Sequence, residues 1–250
     1  MQRIKLGFTL AEVLITLGVI GVIAAMTLPT LIQNYQKHVW VNQLKKSVST
    51  IEKGFKMAMA EDGVESLENT ELMLSLNGEN AGHVMDDFSN KLKRYFKIIN
   101  YRECEYQAIY QLKSLDGSLD DHYGDCDDGM ITYYLAGGII FDIDTNGNSR
   151  GNFNNKNIAN ISVDVNAEKG PNQYGRDVFN FSLTDKGSLQ PNGGQYIALS
   201  FSSEDISSNR FYWKNSSEAC GVANSSNIPN GTKGYGCAGR IMENGWKMDY

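Results

Sequence analysis

The sequence predicts an α+β protein in which a long N-terminal helix packs on an antiparallel sheet, and three observations carry that expectation. The first is an apolar run, FTLAEVLITLGVIGVIAAMTLPTLI from Phe8 to Ile32; a helix needs roughly 20 apolar residues to cross a bilayer core. The second is the series Trp40, Leu44, Val48, Ile51, Phe55 and Ala58, whose steps of four and three define one stripe of an amphipathic helix. The third is a succession of β-rich runs after residue 130, separated by Gly- and Asn-containing turns. A helical part followed by a run of strands is the ordering of an α+β chain.

Composition narrows the function before any motif does. The chain has 250 residues, 41% of them hydrophobic, and a formal charge of −6 from 23 basic and 29 acidic side chains. The basic residues form no long run, so a nucleic-acid footprint of clustered Lys and Arg is not expected. Cys104, Cys126, Cys220 and Cys237 all lie downstream of the apolar run, and an even number in polar, Gly-rich surroundings suits an oxidising compartment.

The apolar run admits three readings. A secretory signal peptide has a basic start, a short apolar stretch and then a small-residue cleavage site. Arg3 and Lys5 supply the basic start and place the N-terminus in the cytoplasm by the positive-inside rule. The run nevertheless continues through Leu28-Pro29-Thr30-Leu31-Ile32, where cleavage should occur. A plain membrane anchor accounts for the hydropathy but not for Glu12, the only charge between Phe8 and Gln36. A carboxylate inside a bilayer costs about 2.5–3.5 kcal/mol on insertion scales, so it should have a partner.

The third reading uses every residue. GFTLAEVLITL, from Gly7 to Leu17, resembles the processing motif of type IV prepilins and of the pseudopilins of type II secretion systems. The resemblance implies a leader, residues 1–7, removed by a membrane prepilin peptidase that cuts between Gly7 and Phe8, followed by N-methylation of Phe8. It implies a transmembrane and polymerisation helix over 8–33, an amphipathic continuation over 34–63 and a globular pilin-like head over 64–250. In such a filament Glu12 would neutralise the Phe8 ammonium of the adjacent subunit and set the axial register, because a buried charge is tolerable only when paired. Pro29 matches the helix-bending proline of many family members. Leader removal would delete Arg3 and Lys5 and no acid. Gly18 and Gly21 leave two readings open: close helix approach within lipid, or the ordinary abundance of Gly in membrane helices.

Downstream, Lys45, Lys46, Lys53 and Lys56 fall largely off the apolar stripe, and Glu61-Asp62-Gly63 is a stop signal with Gly63 as terminating residue. A helix from Phe8 to Asp62 would be roughly 80 Å long, its first half in lipid or a filament core. TELMLSL (70–76) reads as a short helix. DDFSNKLKRYFKII reads as a second, capped by Asp86, with Phe88, Leu92, Tyr95 and Ile99 on one face. MITYYLAGGIIFDID is a hairpin around Gly137-Gly138. NISVDV is a further strand, RDVFNFSLTDKGSL turns at Asp185-Lys186-Gly187, and QYIALSF and RFYWK close the series. Residues 64–129 look like the family's variable region between helix and sheet.

Four cysteines allow three pairings. The expectation is a pairing of sequence neighbours, Cys104 with Cys126 and Cys220 with Cys237; the second would resemble the disulfide-closed C-terminal loop of many pilins. His38, His83 and His122 are scattered, so no zinc site is expected. Two stretches are rich in oxygen ligands: FDIDTNGN, with Asp142, Asp144, Asn146 and Asn148, and VDVNAEKGPN, with Asp164, Asn166 and Glu168. Such alternating oxygens can wrap calcium, and some pseudopilins hold calcium in their sheet-side loops. Calcium is therefore the candidate cofactor, with Asp142, Asp144, Asn146, Asp164 and Asn166 as ligands. An EF-hand register begun at Asp142 fails, because Phe153 stands where Glu is needed, and Asx turns between strands are the competing reading. GPNQYGRDVFNF is similar to a head segment of bacterial pilin-like proteins, and there Asp177 would brace a turn.

No nucleophile elbow, phosphate loop or His-Glu-x-x-His stands in the chain, so an enzyme is not expected. The expected function is that of a structural subunit, a minor pilin or pseudopilin of a type IV pilus or type II secretion pseudopilus. Its partners would be the cytoplasmic membrane, the prepilin peptidase and itself or other pilins in a filament. It would sit in the inner membrane in a single pass, with its head outside, before assembly. The competing readings are a membrane-anchored surface adhesin or enzyme with a prepilin leader, and a competence pseudopilin, which would need an exposed basic patch for DNA.

Overall fold

The computed structural model describes residues 9–75, 81–103, 110–119, 131–144, 157–191, 220 and 234–250. Gly7, Phe8, Cys104, Cys126, Asn146 and the strands expected in QYIALSF and RFYWK lie outside the described residues. The chain divides into two compact units, Met1–Val39 and Trp40–Tyr250.

Helix α1 spans Leu10–Asp62. In its second half the stripe Trp40, Leu44, Val48, Ile51, Phe55 and Ala58 is buried in one hydrophobic core with the sheet, while Lys45, Lys46, Lys53 and Lys56 are exposed. The helix stops where the sequence says it should. Gly63 turns left-handed at φ 65°, and the Val64 N–H donates to the Met59 carbonyl at 3.1 Å, the closing bond of a Schellman cap that favours glycine. A single turn, α2 (Glu71–Leu74), follows with Thr70 as its N-cap, the Thr70 hydroxyl accepting from the Met73 N–H at 3.2 Å.

Helix α3 covers Ala81–Leu92, which corrects the expected helix in two respects. Asp86 lies inside it rather than capping it, and the chain leaves the helix after Leu92 through a turn at 93–95. Phe96 then enters the core, and β1 (Ile98–Arg102) pairs with β2. Ile99 is accordingly 72% exposed on an edge strand instead of lying on a helix face with Phe88 and Leu92. Pairing with β2 and docking of Phe96 outweigh the helical spacing, and the β-branched Ile98-Ile99 pair favours a strand. Strand β1 also places part of the sheet inside the segment read as a region preceding it.

The sheet is an antiparallel meander, β1-β2-β3-β4-β5-β6, each strand next to its sequence neighbour. The remaining strands are β2 (Ile131–Leu135), β3 (Ile139–Asp144), β4 (Asn157–Asp164), β5 (Val178–Thr184) and β6 (Leu189–Pro191). The β2–β3 hairpin turns at Gly137 and Gly138, with φ of 115° and 76°, and the β5–β6 hairpin at 185–187, both as read from the sequence. Alternation decides the faces. Tyr133, Phe141, Ile161, Val163, Phe179, Phe181 and Leu183 join the α1 stripe in the core. Their neighbours Thr132, Asp142, Ser162 and Asn180 are register partners across four strands and form a polar row on the other face. A last helix that the sequence reading did not foresee, α4 (Cys237–Glu243), adds Ala238 and Ile241 to the core.

Candidate functional site

The first half of α1 is the surface that stands out chemically. Its apolar window has a mean hydropathy of 2.2, is 0% buried and is long and apolar enough to cross a membrane. Leu14, Leu17, Ile20, Ile23 and Leu31 are all exposed. Its polar atoms are mostly engaged within the helix, as lipid requires: Thr16 donates to the Glu12 carbonyl at 2.9 Å and Thr27 to the Ile23 carbonyl at 3.0 Å. A Cβ at Gly18 or Gly21 would meet nothing within 4 Å, so both positions are open to a neighbouring helix. Pro29 lies inside the helix and has no N–H to give the Ala25 carbonyl.

Glu12 has a partner within its own chain. The Thr9 N–H and the Thr9 hydroxyl both donate to Glu12 Oε2 at 2.8 Å, and the Glu12 N–H donates back to the Thr9 hydroxyl at 3.3 Å. That is a reciprocal capping box over the first turn of α1, a Thr-x-x-Glu pattern. The pattern was present in the sequence, and Thr9 is the residue that reading passed over. Both bonds use Oε2.

A second polar cluster lies in the turn before β5. The fully buried Asp177 carboxylate accepts from the Gln173 N–H at 2.8 Å and the Asn172 N–H at 2.9 Å. Burial raises its pKa above the ordinary value, while those amides and the Asn166 side chain act in the opposite direction. The Gln173 side-chain amide donates to the carbonyls of Ser114 and Leu115 at 2.8 and 2.9 Å. The Tyr250 hydroxyl donates to the Gly175 carbonyl at 2.7 Å. Asp177 thus braces a turn that ties residues 113–115 and the C-terminus to the sheet. Cys220 and Cys237 are joined in a disulfide that packs with Leu115, the pairing expected for that loop.

The candidate calcium ligands are only partly gathered. Asp142 and Asp164 are on one face of adjacent strands, since Asp142 pairs with Ser162 and Ile140 with Asp164. Asp142 Oδ1 accepts the Ser162 N–H at 2.7 Å, and Asp164 Oδ1 accepts the Asn166 N–H at 2.8 Å, an Asx turn. Asn166 donates to the Gly170 carbonyl at 3.0 Å, and its buried Oδ1 has no hydrogen-bond partner among the described residues. Asp144 ends β3 opposite Asn160. Among the described residues no three His, Cys, Asp or Glu side chains come together as a metal site.

Comparison with protein-family models finds no match. Comparisons with curated proteins and with solved structures find none either.

Proposed function

We propose that this chain is a prepilin-like structural subunit, cut between Gly7 and Phe8 and assembled through the first half of α1 into a type IV pilus or secretion pseudopilus. The observation that carries the reading is the membrane-length apolar helix with no buried residue in its window, headed by Thr9 and Glu12. A helix hydrophobic all round requires either lipid or other helices as its surroundings, and a pilin-type helix uses both in turn. The Glu12 carboxylate is exposed and engages Thr9 through Oε2 alone, which leaves Oε1 for the Phe8 ammonium of a neighbour in the proposed filament. The Trp40–Tyr250 unit would be carried as a pilin-like head outside the membrane.

The test is mass spectrometry of the native chain from membranes and from sheared filaments. The expected mature chain starts at Phe8 with one added methyl group, and Gly7→Asp leaves the precursor uncut. A chain that keeps Met1, or one trimmed beyond Ile32, overturns the reading.

A further inference from the structure

The residues after α4 fold back onto the disulfide from which that helix starts. Gly245 turns left-handed at φ 67°. The Trp246 N–H donates to the Ile241 carbonyl at 2.7 Å and the Gly245 N–H to the Met242 carbonyl at 3.2 Å, the paired bonds of a Schellman cap. The chain then alternates. Trp246, Met248 and Tyr250 pack on the core, while Lys247 and Asp249 between them are exposed, the period of an extended segment.

Both ends of this segment are fastened. Lys45 Nζ on α1 lies 5.3 Å over the Trp246 ring, a cation–π contact. Arg240 stands one helical turn after Cys237, donates through Nε to Asp249 Oδ1 at 2.8 Å and lies over the Tyr250 ring at 5.2 Å. Asn244 donates to Asp249 Oδ2 at 3.0 Å. The Tyr250 ring packs against the cluster of Leu115, Cys220 and Cys237, and its hydroxyl donates to the Gly175 carbonyl at 2.7 Å. Gly175 is itself pressed on the disulfide, since a Cβ there would stand 2.6 Å from Cys237 Sγ. Cys220 and Cys237 are 1% and 0% exposed.

We propose that residues 246–250 are a strap that closes the Cys220–Cys237 disulfide against thiol exchange, and that local release of the strap opens it. Reduction requires a thiolate to reach one sulfur directly while the other leaves as a thiolate; a second thiol of the same reductant then frees the mixed disulfide. The Tyr250 ring and the Gly175 backbone occupy that approach. A dithiol oxidoreductase can therefore form or reshuffle this bond only before the strap docks. The strap is held by a few exposed polar contacts, so it belongs among the segments that open without global unfolding.

The experiment is reduction of the full chain in detergent by dithiothreitol, quenched by alkylation and read at the Cys220 and Cys237 peptides. Tyr250→Ala and Asp249→Ala should each accelerate reduction at least about tenfold. Tyr250→Phe keeps the ring and loses only the Gly175 bond, so about two- to tenfold is expected, the factor matching one ordinary hydrogen bond; it decides the matter should the alanine variants fail to fold. Gly54→Ala weakens the fold far from the strap and should leave the rate within about twofold of the parent. Parent-like rates in the strap variants would sink the proposal. So would a Gly54→Ala chain reduced as fast as Tyr250→Ala, since exchange would then run through global unfolding.

Discussion

The ring of Phe96 lies against the backbone of Gly54. A Cβ on Gly54 would stand 2.1 Å from Phe96 Cζ, so this helix position accepts only glycine while Phe96 stays in place. The ring has no room to swing away, because it is edge-on to Phe55 at a centroid distance of 5.4 Å and tilted against Phe141 at 5.6 Å. This contact seats the segment between α3 and β1 on α1.

Gly54→Ala is therefore expected to destabilise the protein by about 1–3 kcal/mol, the usual penalty of overpacking, although alanine is the better helix former. Phe96→Leu in the same chain should recover part of the loss, since residues in contact couple. Thermal denaturation of the single and double variants checks both statements. A Gly54→Ala variant as stable as the parent would mean that the ring is free to move.

The Cys220–Cys237 disulfide closes a segment with a sequence separation of 17 and fastens α4 beside Leu115 and Tyr250. Constraining the unfolded chain over such a loop is worth about 3 kcal/mol, so Cys220→Ser with Cys237→Ser should lower the melting temperature by roughly 6–12 °C. Amide exchange should accelerate most in Cys237–Glu243. Uniform acceleration along the chain would contradict this local role.

Asp177 makes a prediction about pH. Its folded-state pKa lies above the ordinary 3.8 because burial disfavours the carboxylate, so the folded protein holds this proton more tightly than the unfolded one. Stability from this group is then greatest at pH below 3.8 and declines as pH rises through the raised folded value. Asp177→Asn cannot titrate, and the advantage of the parent over this variant should shrink across that window. Denaturant unfolding of both at several pH values measures it. An advantage that grows with pH would show that the Asn172 and Gln173 amides outweigh burial.

How much of this was legible follows from the range of the interactions involved. The stripe from Trp40 to Ala58, the Gly63 stop and the turns at Gly137-Gly138 and Asp185–Gly187 are local patterns, and each reappears in the fold. Strand β1 was not legible, because Lys97, Ile98 and Ile99 continue a helical spacing and only pairing with β2 decides against it. Helix α4 is short and has its place partly through a disulfide. The polar row Thr132, Asp142, Ser162 and Asn180 depends on the registers of three strand pairs, which no single segment encodes. At the candidate site the sequence marked Glu12 as a charge in need of a partner, and Asp177 as a turn brace. The Gln173 bonds to Ser114 and Leu115 cross a sequence separation of 58 or more and left no local trace.

Glu12 has two possible duties, and substitution separates them. As a helix cap it needs an acceptor for Thr9, which a glutamine provides as well as a glutamate in a capping box. As the counterion of a buried ammonium in a filament it needs its charge, because removing one partner of a buried pair costs about 3–5 kcal/mol, more than a hundredfold in an equilibrium. If the proposed assembly role holds, Glu12→Gln and Glu12→Ala should both be cleaved after Gly7 and both be nearly absent from sheared filaments. Thr9→Val, which removes the cap hydroxyl and keeps the carboxylate, should lose about 0.5–2 kcal/mol of helix-end stability and still assemble. Quantifying mature chain in membrane and filament fractions distinguishes the duties. A Glu12→Gln chain that assembles like the parent would reduce Glu12 to a cap and remove the charge pairing from the account of assembly.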